Sequence, residues 1–349
     1  MPRHPAPAIL AIAASSALVL AGCSASAPAE EGTTDGIVVV ASTDVYADIA
    51  ASIGGDDVTV QALISGTAVD PHSYEASARD QLAVADADLI IMNGGGYDPF
   101  METLIAASGT TATVIVAVDA SGLLDEDHAH DEDAHEEEAA TDDAATDAAT
   151  APAEEAHDDE HADDDHAEDD GHNHIEGFNE HVWYSLHGVA HIAESIEAAL
   201  AELAPESAPT FEANGAEFLA GIETLEARAD EIAGSIDHVH ALVSEPVALY
   251  LLDAVGIHNV TPEAFTSAVE AGSEISVALL DEVLTLAGSG EIGLLAYNEQ
   301  TVGSETERLL AAAEAAGVPV VSFSETLPAG QDYLSWMSTN LEAIATAVS

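Results

Sequence analysis

Ile37-Val38-Val39-Val40-Ala41 is a run of β-branched, apolar residues with no polar alternation. Such a run reads as a strand buried on both faces, the kind found in parallel sheets. Asp44 to Ile53 follows with helical spacing and stops at Gly54-Gly55. The same grammar then repeats. Strands are expected at 58–64, 88–92 and 113–117, with helices at 77–85 and 99–107 between them. Alternation of this kind predicts an α/β unit, a mostly parallel sheet flanked by helices. Asn93-Gly94-Gly95-Gly96-Tyr97 fits neither the dinucleotide nor the P-loop spacing and reads as a tight turn after a strand.

The second half repeats the pattern. Strands are expected at 240–244, 292–297 and 318–323, and helices at 247–255, 277–288, 304–316 and 332–348. Between the halves lie two amphipathic patterns, Val182 to Leu203 and Pro209 to Ile236. The second would run roughly 40 Å at 1.5 Å per residue, enough to span two lobes. The expected domains are a leader over 1–22, a tether over 23–35, a first lobe over 36–208, a linking helix over 209–236 and a second lobe over 237–349.

The charge balance excludes some partners. Four arginines and no lysine stand against 66 acidic residues, a formal net charge of −62. Such a surface repels nucleic acid and anionic membrane faces and attracts cations. It also suits a high-salt habitat, where screening relieves self-repulsion. Arg3, the apolar run Ala8 to Leu20 and Leu20-Ala21-Gly22-Cys23 read as a lipoprotein signal. The single cysteine falls at the position where lipidation makes it the mature N-terminus. Attachment to the membrane is therefore expected through that lipid alone, on the outer face of the cell membrane.

From 125 to 175 the chain is almost entirely Asp, Glu, Ala and Thr, with His128, His130, His135, His157, His161, His166, His172 and His174. Nothing there can build a core, so a disordered loop is expected. A solvated acidic linker needs no histidines. Eight of them favour a low-affinity, metal-collecting role. His187 and His191 lie four apart on the helix that follows. That spacing can hold a metal, but they lack the Glu of a His-Glu-x-x-His zinc motif, so a structural role or one behind a set of ligands is expected.

Four residues carry the candidate chemistry. His72, Glu245 and Glu325 fall just after expected strands, and His181 falls at a helix start beside Trp183. Ligands of open α/β sheets bind outside the carboxyl ends of strands. Two imidazoles and two carboxylates suit zinc or manganese. Taken alone, His181 reads equally well as a structural histidine, and spacing does not bring the four together.

Pro71-His72-Ser73-Tyr74-Glu75 with Asn179-Glu180-His181-Val182-Trp183 resembles the metal-binding lipoproteins of ABC importers for zinc and manganese, the cluster A-I substrate-binding proteins. The likeness also takes in the lipobox at Cys23, Asp44, Ala87 to Gly94, the histidine-rich loop and Phe323-Ser324-Glu325. It implies two α/β lobes joined by a long rigid helix, with metal held between them. It implies His72 and His181 as ligands of the first lobe, and Glu245 and Glu325 as ligands of the second. Glu245 stands where zinc members typically carry histidine and many manganese members glutamate, whereas the loop is of the zinc kind. His238 and His240 precede or begin the strand, rather than follow it, and are poorer candidates. The implied function is capture of a divalent metal and delivery to a permease and its ATPase, by a monomer that performs no catalysis. Zinc is favoured over manganese by the affinity order. From other classes, a secreted metal-dependent hydrolase and a metal-buffering adhesin remain the alternatives.

Overall fold

The computed structural model describes residues 36–68, 71–124, 175 and 177–349. Cys23, the tether and the eight loop histidines lie outside them. β1 (Ile37–Thr43) pairs with β2 (Val58–Ile64) on one side and β3 (Leu89–Met92) on the other, and β4 (Thr113–Val116) closes the far edge. The second sheet repeats that order. β5 (Val239–Val243) lies between β6 (Ile257–Asn259) and β7 (Ile292–Asn298), with β8 (Val320–Phe323) outermost. Every pairing is parallel, as the unbroken apolar runs predict.

Side-chain alternation shows what each face meets. Val39 and Ala41 enter one apolar cluster and Val40 another. Ala241, Val243, Leu294 and Ala296 join the first of these clusters, while Leu242, Leu295 and Tyr297 face a third. Successive residues of a strand point to opposite faces, so both sheets are covered on both sides. One face of each sheet feeds the same core.

That shared core is built by helices. α1 (Asp44–Gly54), α2 (Ala78–Ala85), α3 (Pro99–Ser108) and α4 (Ala117–Ala120) connect and follow the strands of the first sheet. α5 (Leu186–Leu203) and α6 (Ala208–Ala233) connect the two halves. α6 buries Phe211, Gly215, Phe218, Ile222, Leu225, Ala229 and Ile232, an alternating spacing of four and three that makes one apolar stripe. The helices of the second half are α7 (Leu249–Ala254), α8 (Glu263–Glu270), α9 (Val277–Ala287), α10 (Ser304–Ala316) and α11 (Tyr333–Ala347). α11 returns to pack Tyr333, Trp336, Met337, Leu341 and Ile344 into the same core as α1 and α6. Each such side chain contributes about 1.5–3 kcal/mol on burial. The two sheets are therefore joined by a broad apolar seam as well as by α6. No helix among the described residues is long and apolar enough to cross a membrane.

Several elements differ from the sequence expectation. The pattern from Val182 divides into a 3-10 turn (Val182–Tyr184) and α5, which Ser185 starts by accepting from the Gly188 N–H at 3.0 Å. β6 and α8 were not foreseen. Ile257-His258-Asn259 carries one apolar side chain, too short a pattern to announce a strand.

Candidate metal centre

Both sheets have their switch point between the two central strands, β1 and β3 in one and β5 and β7 in the other. Loops leaving these ends diverge and open a crevice. In the first half the crevice is bordered by Asp44 after β1 and Asn93 after β3. In the second it is bordered by Glu245 after β5 and Asn298 at the end of β7. His72 comes from the 3-10 turn Pro71–Ser73 after β2, and Glu325 from the segment after β8.

Asn93 shows how backbone geometry places a ligand. Gly94, Gly95 and Gly96 all have positive φ, at 78°, 67° and 96°, which realises the expected tight turn. A Cβ on Gly94 would lie 2.4 Å from Val116 Cγ1. The turn lets the Asn93 side chain donate to the Glu180 carbonyl at 3.0 Å while accepting from the Tyr46 hydroxyl. Asp98 accepts the Asn93 and Gly94 N–H groups at 2.7 and 2.8 Å. The backbone just before His181 is thus tied to the end of β3.

His181 is buried, its ring edge-on to Trp183 at 5.1 Å and to Tyr97 at 5.8 Å. Asn179 Oδ1 accepts from its Nδ1 at 2.8 Å, which places the ring's lone pair on Nε2. Asn179 itself reaches the second half, where its amide donates to the Pro246 carbonyl at 3.0 Å. The Tyr250 hydroxyl donates to the Asn179 carbonyl at 2.8 Å. The Tyr184 hydroxyl donates to the Ser324 carbonyl at 2.6 Å, next to Glu325. Asp44 accepts from the Leu327 N–H at 3.0 Å. These bonds hold the segments around Glu245 and Glu325 against the first sheet.

The structure brings three of the four expected residues together. His72, His181 and Glu325 each present a ligand atom within 4.8 Å of the others. His72 Nε2 stands 3.5 Å from Glu325 Oε2, which also accepts from the Tyr97 hydroxyl at 3.0 Å. Glu245 is absent from that group but linked to it. The Asn298 amide donates to Glu245 Oε2 at 2.5 Å and to Glu325 Oε1 at 2.7 Å. Thr301 donates to the same Glu245 oxygen. Glu245 Oε1 is buried without a hydrogen-bond partner among the described residues, a costly arrangement unless a cation or donor meets it.

A second set shares His181. Glu180, His181 and Glu270 also have ligand atoms within 4.8 Å, with His181 Nδ1 3.8 Å from Glu270 Oε1. Sequence reasoning missed Glu270 because it ends α8, a helix that was not foreseen. Glu180 stood inside the quoted Glu-His-Val-Trp motif, and Asn298 directly followed an expected strand.

The electrostatics describe a cluster short of positive charge. Burial disfavours the charged form of His72, but the hydrogen bond and charge of Glu325, aided by Glu270 and Glu180, outweigh it and push the imidazole up to about 10. Burial raises Glu325 as well. His72, then His181 and the Asn298 amide, overcome that and bring it down to about 2. Glu245 is pushed up to about 7 by burial and by the charge of Glu325. A proton on His72 thus serves as counter-ion among these carboxylates. A divalent cation would replace it with more charge and with directed bonds to nitrogen and oxygen.

A family model described as ZnuA, zinc-uptake complex component A, periplasmic, matches residues 39–347. The chain belongs to the ZnuA family. This bears out the cluster A-I resemblance and the two-lobed α/β fold it implied. Zinc-binding protein AdcA of Streptococcus pyogenes serotype M1 is 27% identical over 328 residues, covering 90% of this chain and 57% of that protein. The chain thus spans little more than half the length of that curated relative. Manganese-binding lipoprotein MntA of Halalkalibacterium halodurans is 29% identical over 113 residues, 32% of this chain and 37% of that protein. A crystal structure of ZnuA superposes with a TM-score of 0.64 at 21% identity, covering 90% of this chain and 100% of that one.

Proposed function

We propose that this ZnuA-family chain captures zinc as cargo in the crevice between its two sheets and delivers it to the permease of an ABC importer driven by its ATPase. His72, His181 and Glu325 bind the ion, and Glu245 completes the set once the metal draws its unpartnered oxygen. The observation that carries this reading is the buried cluster itself: two imidazoles and converging carboxylates, contributed by both halves, with a proton standing in for a cation. The donor set suits a borderline divalent ion, and zinc outcompetes manganese at most mixed nitrogen–oxygen sites. Lipidation at Cys23 would hold the protein at the outer face of the membrane, near its permease. Within this reading the carboxylates act as ligands and not as acid–base catalysts.

Manganese is the second reading, because Glu245 and Glu270 add hard oxygen donors around only two nitrogens. Competition of the two ions for the full-length protein, read by metal analysis after equilibrium dialysis, separates them. Retention of zinc against excess manganese supports zinc cargo, and preferential retention of manganese overturns it.

A further inference from the structure

His187 and His191 project from α5 one turn apart. The sequence favoured a structural role for them or one behind the ligands, but both side chains face solvent. His187 is exposed and the His191 side chain is 43% accessible. Their Nε2 atoms lie 3.2 Å apart and share one proton in a hydrogen bond, and their rings stand edge-on with centroids at 4.6 Å. Two Zn–N bonds of about 2.0–2.1 Å meeting at a tetrahedral angle put the nitrogens roughly 3.3–3.4 Å apart. A metal ion that displaces the shared proton would therefore meet two nitrogens already close to the separation of one edge of such a tetrahedron.

A second observation concerns orientation. Glu194 Oε2 lies 3.3 Å from His191 Nδ1. A carboxylate on the far nitrogen of a metal-bound imidazole fixes its tautomer and leaves the lone pair on Nε2, the arrangement typical of histidine ligands. Neither histidine belongs to the two buried clusters of the crevice. His191 also borders Gly122, whose Cβ, if present, would lie 3.9 Å from the ring, at the end of the described first-half segment.

We propose that His187 and His191 form a separate, solvent-facing site for zinc or another imidazole-preferring divalent ion such as nickel or copper. Both Nε2 atoms bind the ion, Glu194 orients His191, and water fills the remaining positions. Two protein ligands in an exposed setting make a weak site that exchanges metal quickly. Manganese, which prefers oxygen donors, is excluded from it.

Histidine carbethoxylation of the full chain, located by mass spectrometry, tests this directly. With one equivalent of zinc chloride already added, further zinc should slow modification of His187 and His191 together, and manganese chloride should not. His191→Gln should abolish the protection of His187, and Glu194→Gln should raise the half-protecting zinc concentration several-fold. Protection of His187 that survives His191→Gln, or no protection of either residue as zinc is raised into the millimolar range, overturns the proposal. The rise in melting temperature on adding the first equivalent of zinc, compared between wild type and His72→Ala, reports the crevice separately, so failure of one site is distinguishable from failure of the other.

Discussion

Glu245 and Glu325 share one amide: Asn298 Nδ2 donates to both, at 2.5 and 2.7 Å. The two carboxylates leave different strands of the second sheet, and Asn298 ends the strand between them. One donor group thereby sets the spacing of two acids that would otherwise repel. Their proton affinities are driven apart, Glu325 to about 2 and Glu245 to about 7.

Asn298→Ala should therefore weaken zinc binding without removing any ligand. Loss of an outer partner that orients ligands typically costs about 10–100-fold in metal affinity. Competition against a chromophoric chelator measures it. An unchanged affinity would show that the bridge does not set the ligand geometry.

Metal capture should release protons. His72 is held protonated up to about pH 10, so zinc must displace that proton at neutral pH, and near pH 7 it also displaces part of one from Glu245. Calorimetry in buffers of different ionisation enthalpy should show between one and two protons released per zinc at pH 7. Apparent affinity should rise about tenfold per pH unit between pH 7 and 10. Release of no protons would remove the His72–Glu325 ion pair from the account.

The same shifts give the metal-free protein a pH-dependent stability. His72 is raised above its ordinary 6.5, so its contribution is complete below that value and is lost as pH climbs through about 10. Glu245 is raised above 4.5, so its ionisation costs stability progressively from pH 4.5 to 7. Both trends run downward across pH 4.5–10, and zinc should cancel them. The rise in melting temperature on adding zinc should thus grow with pH in the wild type and grow less in His72→Ala, where the Glu245 contribution alone remains, as thermal melts at several pH values would reveal.

Glu270 offers a test of the donor set. It approaches His181 from α8, and Glu270→Gln keeps its size while removing its charge. We expect about a tenfold loss of zinc affinity through this weakened electrostatic environment, with little change in the melting temperature of the metal-free protein. An equal affinity for both forms would place Glu270 outside the functional cluster.

How much of this the sequence disclosed follows from the range of each signal. Ile37 to Ala41 and Ile292 to Tyr297 announce buried parallel strands because every residue in a doubly covered strand must be apolar. The stripe from Phe211 to Ile232 announces α6 for the same local reason. The short strand at Ile257 and the helix ending at Glu270 carry too few periodic residues to be heard, and a cluster member went unseen with them. Convergence is a different matter. His72 and Glu325 are neighbours only because two sheets of the same strand order face one crevice. That relation came from resemblance to a family and not from any spacing along the chain. His187 and His191 were legible as a pair, but whether the pair faced a core or solvent depended on what packed against α5.

Anomalous diffraction at the zinc absorption edge, from crystals of the full chain grown with one equivalent of zinc, tests the central claim most directly. The account predicts one strong peak within bonding distance of a ring nitrogen of His72, a ring nitrogen of His181 and a carboxylate oxygen of Glu325. A dominant peak anywhere else, with those three side chains unliganded, would contradict it.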